Sequence, residues 1–320
     1  MPLIASSYQP EGIWRHMHFS TIYAAKLRWI LGMPYARERL ELEDGDFLDL
    51  DWSLPNSRGD TVAILLHGLE GDAQRPYMKG MARLLLKEHI DVVGVNFRGC
   101  SGTVNRHYRS YHSGETGDLQ QVVAHLADSL NYTSILLYGI SLGGNVIFKY
   151  LGESPTHPAV KAAVGVGVPC DLYHSLQQLN HRENWIYRLT FLRRLRKKYK
   201  EKMQQFPDRM SGSTLKKIKS LQDFDEYYTA PAHGFQSALD YYERASCYPV
   251  LPQLKTPALM INALNDSFLK ERCYPFAFAK ANPNFYLETP NYGGHVGFYQ
   301  PETAYYHEQR ALEFFKEQLG

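Results

Sequence analysis

The chain has 320 residues, 44% of them hydrophobic and 21% charged, a balance that suits one large α/β core with an insertion and argues against disorder. Its formal net charge is +2, and aromatics are spread along the chain instead of alternating with basic residues, so no nucleic-acid partner is expected. Cys100, Cys170, Cys247 and Cys273 lack C-x-x-C spacing, which points to reduced thiols in a cytoplasmic protein and to no disulfide, metal or cofactor.

The N-terminus, MPLIASSYQPEGIW, has no basic start followed by a long apolar run, so neither a signal peptide nor a membrane anchor is expected there. The apolar stretch from Ile22 to Met33 reads as a helical lead-in broken by Lys26 and Arg28, and no apolar run is long enough to span a bilayer. Leu40 to Glu43 and Phe47 to Trp52 alternate apolar and acidic residues around Asp44-Gly45, which predicts an antiparallel hairpin at a sheet edge. Thr61 to Leu66 is a buried-type strand ending at His67-Gly68-Leu69-Glu70-Gly71, followed by an amphipathic helix over Tyr77 to Glu88. A Val-rich strand, Asp91 to Phe97, stops at Arg98-Gly99-Cys100-Ser101-Gly102, and a helix over Asp118 to Leu130 follows.

The stretch from Ser134 to Gly152 is the centre of the chain. An apolar strand, Ile135 to Tyr138, breaks at Gly139-Ile140-Ser141-Leu142-Gly143 and resumes with Val146, Ile147, Tyr150 and Leu151 at helical spacing. This is a Gly-x-Ser-x-Gly turn between strand and helix, which strains the backbone at Ser141 and needs small residues two before and two after it. Strand, helix, strand, helix without repeats predicts a mostly parallel, doubly wound sheet. Val160 to Val168 is a further strand, and 170–247, helical and highly charged, reads as a cap inserted into a core made of 1–169 and 248–320. The core resumes with strands at Thr256 to Leu264 and Asn284 to Glu288 and closes with a helix around Glu308 to Leu319.

A serine hydroxyl becomes a nucleophile only beside a base that a third group orients. His295, in Gly293-Gly294-His295-Val296-Gly297-Phe298, and Asp266 each follow a strand's carboxyl end, as Ser141 does. Asp171, after the preceding strand, is the competing acid, with helix capping as its ordinary role. The oxyanion donors expected are the backbone N–H groups of Leu142 and Leu69, with the His67 side chain left out of the chemistry. In the cap, Trp185, Phe191, Phe224 and Phe235 can line an acyl pocket, Phe224 and Phe235 being the expected substrate residues. Arg188, Arg193, Arg194, Arg196, Lys197, Lys198, Lys200 and Lys202 form a basic cluster, read either as a solvated helix face or as a surface for anionic lipid or an acidic substrate.

His67-Gly68-Leu69-Glu70-Gly71, Asn96-Phe97-Arg98-Gly99-Cys100-Ser101-Gly102, Gly139 to Asn145, the Gly293 to Phe298 motif and the cap segment Phe224-Asp225 through Gly234-Phe235 together resemble the YheT-like group of α/β-hydrolases (AB hydrolase family 4). The resemblance covers nearly the whole chain and implies an α/β-hydrolase fold and a serine carboxylic-ester hydrolase with a Ser141, Asp266, His295 triad. His18-Phe19-Ser20-Thr21 departs from the group's N-terminal His-x-Gln-Thr, and Ser267 stands after Asp266 where proline is common. A small-molecule ester of short to medium acyl length is the expected substrate. A lipid-directed phospholipase or acylglycerol hydrolase at a membrane surface, a thioester or amide hydrolase, and a silent binding protein are the rival readings.

Overall fold

The protein is described by a computed structural model for residues 2–30, 32–55, 59–153, 155–302 and 304–320. Its strands are β1 (Leu3–Ile4), β2 (Ala36–Glu41), β3 (Phe47–Ser53), β4 (Thr61–Leu66), β5 (Asp91–Asn96), β6 (Ser134–Ile140), β7 (Val160–Val166), β8 (Ala258–Ile261) and β9 (Phe285–Glu288). They form one sheet in the order β1-β9-β8-β7-β6-β4-β5-β3-β2. Every pairing from β1 to β5 in that order is parallel, and only β3 with β5 and β2 with β3 run antiparallel, so the expected doubly wound sheet and its edge hairpin are both present.

Alternation along β4 shows why these strands are apolar throughout. Val62, Ile64 and Leu66 face one core with Val146, Ile147 and Phe148 of the helix Leu142–Glu153, while Ala63 and Leu65 face another with Met78, Met81 and Leu85 of Pro76–Lys87 and Phe314 and Phe315 of Tyr306–Leu319. The chain leaves β4 toward β5 on one side and returns as β6 on the other. That reversal opens a crevice beyond the carboxyl ends of β4 and β6, where His67 and Ser141 follow the strands.

Between β7 and β8 the described residues form helices and no strand, the longest being Trp185–Gln205. This segment has its own apolar cluster, including Leu195, Tyr199, Leu215, Leu221, Phe224 and Tyr228. Two of the expected elements that differ show what shortens them. The strand expected over Thr256 to Leu264 spans only Ala258–Ile261, because Asn262 turns its side chain onto both the N–H (2.7 Å) and the carbonyl (3.1 Å) of Val168, bridging the two loops. The helix expected to reach Leu130 ends at Ala124 and finishes in a wider turn over His125–Ser129. The two-residue β1, which pairs with β9, is too short for any periodicity to reveal.

Candidate active site

Ser141 has a φ of 54°, a left-handed backbone that a non-glycine residue adopts only under strain. The surroundings enforce it: its N–H donates to the Val166 carbonyl at 2.8 Å, and its carbonyl accepts from Asn145 N–H at 3.1 Å. A Cβ on Gly139 would stand 2.5 Å from the Gly143 carbonyl carbon, and one on Gly143 would stand 2.3 Å from the Leu66 carbonyl oxygen, so the glycines let strand, turn and helix cross. Asn145 then fastens the elbow helix to the end of the helical segment between β7 and β8, donating to the Ala245 carbonyl (2.8 Å) and accepting from Cys247 N–H (2.9 Å).

The hydroxyl of Ser141 lies 2.8 Å from His295 Nε2, and His295 Nδ1 lies 2.7 Å from Asp266 Oδ2. A carboxylate accepts only, so Nδ1 carries the proton and Nε2 presents its lone pair to the serine O–H. The second oxygen of Asp266 accepts from Phe268 N–H at 2.8 Å, and the Phe268 ring lies 4.3 Å from that of His295, fixing acid and base together. Asp171 is occupied elsewhere: it caps the helix Leu172–Leu179 through His174 N–H at 3.0 Å and faces Arg272 at 3.3 Å. Geometry therefore brings Asp266 to His295, and Asp171 does its capping work.

Leu142 and Leu69 both line the cavity in front of Ser141. In the loop after β4 the neighbouring amides are taken, Glu70 N–H by Tyr111 Oη at 2.9 Å and Gly71 N–H by the Gly68 carbonyl at 3.0 Å, which leaves Leu69 as the amide free to serve the site among these. His67 is fully buried beneath, donating from Nδ1 to the Gly68 carbonyl (2.8 Å) and accepting Phe97 N–H at Nε2 (3.2 Å). It supports the loop without reaching the crevice.

Of the aromatics expected to line an acyl pocket, Phe224 and Phe191 line the cavity, beside Leu176, Leu195 and Leu221. Phe235 does not. The chain reverses at Gly234 (φ 73°), and the Phe235 ring packs 5.3 Å from Tyr241 and 5.4 Å from His112 with Arg244 over it, so the expectation of a pocket role for Phe235 is corrected. The basic cluster is likewise not a uniform solvated face. Lys198 and Lys202 are buried, the first against the Glu70 carboxylate and the second donating to the His107 carbonyl, while Arg193, Lys197 and Lys200 remain exposed.

Two contributors were not recognised from sequence. Thr21 Oγ1 accepts the backbone N–H of His295 at 2.9 Å, and Asn265 Oδ1 accepts that of Gly294 at 2.9 Å, so the N-terminal segment and the acid's own loop hold the histidine turn. Asn265 was legible as the neighbour of Asp266; Thr21 lay in a motif whose preceding residue, Ser20, departed from the pattern. His112, Glu115 and His233 come close enough to share a cation, yet His112 Nδ1 accepts Gly114 N–H at 3.1 Å, which puts the proton on the Nε2 that faces Glu115.

A model of the alpha/beta hydrolase fold matches residues 62–301. The chain belongs to the α/β-hydrolase family. Within it the hydrolase is 33% identical, over 92% of its length and 87% of the relative's, to YheT of Escherichia coli K12, which carries the name of an esterase. It is 30% identical, over 93% of its length and 74% of the relative's, to phospholipase ABHD3 of Mus musculus. Among solved structures it resembles the Pyrococcus furiosus esterase PF2001 in fold, with a TM-score of 0.58 at 22% identity over 89% of this chain and 92% of that one. The expected YheT-like membership, fold class and carboxylic ester hydrolase class are borne out together. Among the described residues no helix is long and apolar enough to cross a membrane.

Proposed function

We propose that the hydrolase cleaves carboxylic esters of short to medium acyl chain through an acyl-enzyme on Ser141. The observation that carries this reading is the hydrogen-bond series from Asp266 through His295 to Ser141, at 2.7 and 2.8 Å, at the floor of an apolar cavity. Ser141 Oγ attacks the ester carbonyl as its proton passes to His295 Nε2, and Asp266 stabilises the imidazolium that forms. The developing oxyanion turns toward the N–H groups of Leu142 and Leu69, aided by the positive end of the helix that begins at Leu142. Collapse breaks the bond to the alcohol oxygen, which leaves with the proton from His295. Water, deprotonated by the same Nε2, then attacks the acyl-enzyme and frees the acid and Ser141. The cap segment 170–247 roofs this chemistry, and the free thiols at Cys100, Cys170, Cys247 and Cys273 support a reducing, cytoplasmic setting.

The deciding experiment is Ser141→Ala, assayed with p-nitrophenyl butanoate and with a fluorophosphonate label. Loss of the nucleophile is expected to lower kcat on the order of 10⁶-fold and to abolish labelling while the circular dichroism spectrum is retained. Near-native turnover by a purified, folded variant would remove Ser141 from the mechanism.

A further inference from the structure

A second cavity reaches the same serine and histidine. It shares Leu69, Ser141, Phe191, Phe268 and His295 with the cap cavity, but its other walls come from the N-terminal segment, the loop after β4 and the outer face of the helix Trp185–Gln205. Each of these walls contributes a cation: Lys26, Arg75 and Arg194. Among the described residues lining it there is no carboxylate. Arg75 has Asp72 at 3.5 Å, and neither Lys26 nor Arg194 has a salt-bridge partner among the described residues. The guanidinium groups are held side by side, since Arg75 Nη2 (3.1 Å) and Arg194 Nη1 (3.0 Å) donate to one oxygen, the Glu70 carbonyl, which leaves their other N–H groups for a ligand.

Like charges gathered at a partly closed wall repel one another, and an anion placed among them relieves that cost. Burial, then the charges of Arg194 and Arg75, pulls Lys26 below the ordinary lysine value, and burial and Arg75 do the same to Arg194. The two cavities also divide the substrate. Leu176, Leu195, Leu221 and Phe224 make the cap cavity the place for an acyl chain, so the alcohol side of the ester, which His295 must protonate as it leaves, falls to the other. We propose that this second cavity is a subsite for an anionic group, phosphate or carboxylate, carried on the alcohol side of the ester and held by Lys26, Arg75 and Arg194. The inference rests on Ser141 as the nucleophile.

The test compares monomeric esters of one acyl group: 1-butanoylglycerol with 1-butanoylglycerol 3-phosphate, and methyl butanoate with O-butanoyl glycolate. The wild type is expected to favour the anionic member of at least one pair about tenfold in kcat/KM at low salt, with the preference shrinking toward parity at high ionic strength. The pair with the larger ratio identifies phosphate or carboxylate. Lys26→Gln should cut the ratio of anionic to neutral ester roughly three- to tenfold through KM. Arg194→Gln, whose loss also frees the Glu70 carbonyl, is read only by the ratio. A wild-type ratio near one for both pairs, or a ratio untouched in the variant that combines Lys26→Gln and Arg194→Gln, overturns the subsite. So does a preference that appears only with esters dispersed in phosphatidylglycerol vesicles, which would assign these cations to a lipid surface. Calorimetric binding of glycerol 3-phosphate and of glycolate, weakened in Lys26→Gln, separates the two levels: if no ester is cleaved yet such binding is present and cation-dependent, the esterase reading fails and the anion site stands, whereas binding of neither probe in that case overturns the site as well.

Discussion

Lys198 of the helix Trp185–Gln205 places its ammonium 2.6 Å from the carboxylate of Glu70, the residue that follows Leu69 in the loop beside Ser141. Glu70 itself has a left-handed φ of 52° and is held at three points, its carboxylate by Lys198 and Tyr111, its N–H by Tyr111, and its carbonyl by Arg75 and Arg194. The helix Trp185–Gln205 and the loop after β4 therefore share one buried ion pair, the side chains being 10% and 8% exposed.

Removing one partner of such a pair leaves the other desolvated and uncompensated, whereas removing both relieves the cost. Lys198→Met is expected to destabilise the protein by about 3 kcal/mol and to lower kcat by loosening the loop that carries Leu69. Lys198→Met with Glu70→Gln should regain most of the stability and less of the activity. Urea unfolding of Lys198→Met, Glu70→Gln and the double variant checks this; a double-variant loss equal to the sum of the two single losses would mean that the pair is not coupled.

The acid assignment yields an asymmetry. Asp266→Asn keeps the shape but offers His295 Nδ1 an amide that favours the wrong tautomer, and kcat should fall roughly 10⁴-fold with KM little changed. Asp171→Asn should retain most activity and cost about 1 kcal/mol or less, because asparagine also caps helices. Measured kcat values in the opposite order would move the acid to Asp171.

Those residues were readable because each announces itself locally: Ser141 by flanking glycines between strand and helix, Asp266 and His295 by following strand ends. What escaped was set by partners distant in the chain. Thr21 meets His295 across 274 positions, and the His18 to Thr21 stretch it ends, altered at Ser20, does not say which distant residue it serves. Phe224 and Phe235 look alike as cap aromatics, and only packing sends one to the cavity and the other onto Tyr241. The charged run from Arg188 to Lys202 satisfied a solvated helix equally well, because the inward face of Lys198 and Lys202 becomes polar only once Glu70 and the His107 carbonyl are brought to it.

Acid stability follows from His67. Full burial pulls its pKa down to about 4, and its Nε2 must stay unprotonated to accept Phe97 N–H. The folded state therefore remains neutral there while the unfolded chain takes up a proton below about pH 6.5. Stability is complete above that value and drains away as pH falls toward 4, by ~3 kcal/mol in all. His67→Asn, which keeps a donor and an acceptor, should reduce the proton uptake on unfolding between pH 6.5 and 4 by about one, with the rest owed to groups such as His233 and His307, each pulled to about 3 by burial. Melting temperatures across that range decide it, an unchanged slope in the variant being the contrary result.

The cap aromatics separate selectivity from support. Phe224 is buried and faces the cavity with Leu221, so Phe224→Ala enlarges the space available to the acyl chain. Each further methylene the enlarged cavity buries is worth ~0.8 kcal/mol, about fourfold in kcat/KM, until the new wall is reached. The variant should shift its optimum to longer esters while turnover of an acetyl ester, too short to touch that wall, changes little. Phe235 is partly buried between Tyr241, His112 and Arg244 and touches no acyl chain, so Phe235→Ala should lower stability on the order of 2 kcal/mol, below the range for a fully buried phenylalanine, and leave the length preference alone. A series of p-nitrophenyl esters from acetyl to dodecanoyl, assayed well below each variant's melting temperature, distinguishes the two: parallel losses at every length for Phe224→Ala would reduce it to a packing residue, and a shifted optimum for Phe235→Ala would return it to the pocket.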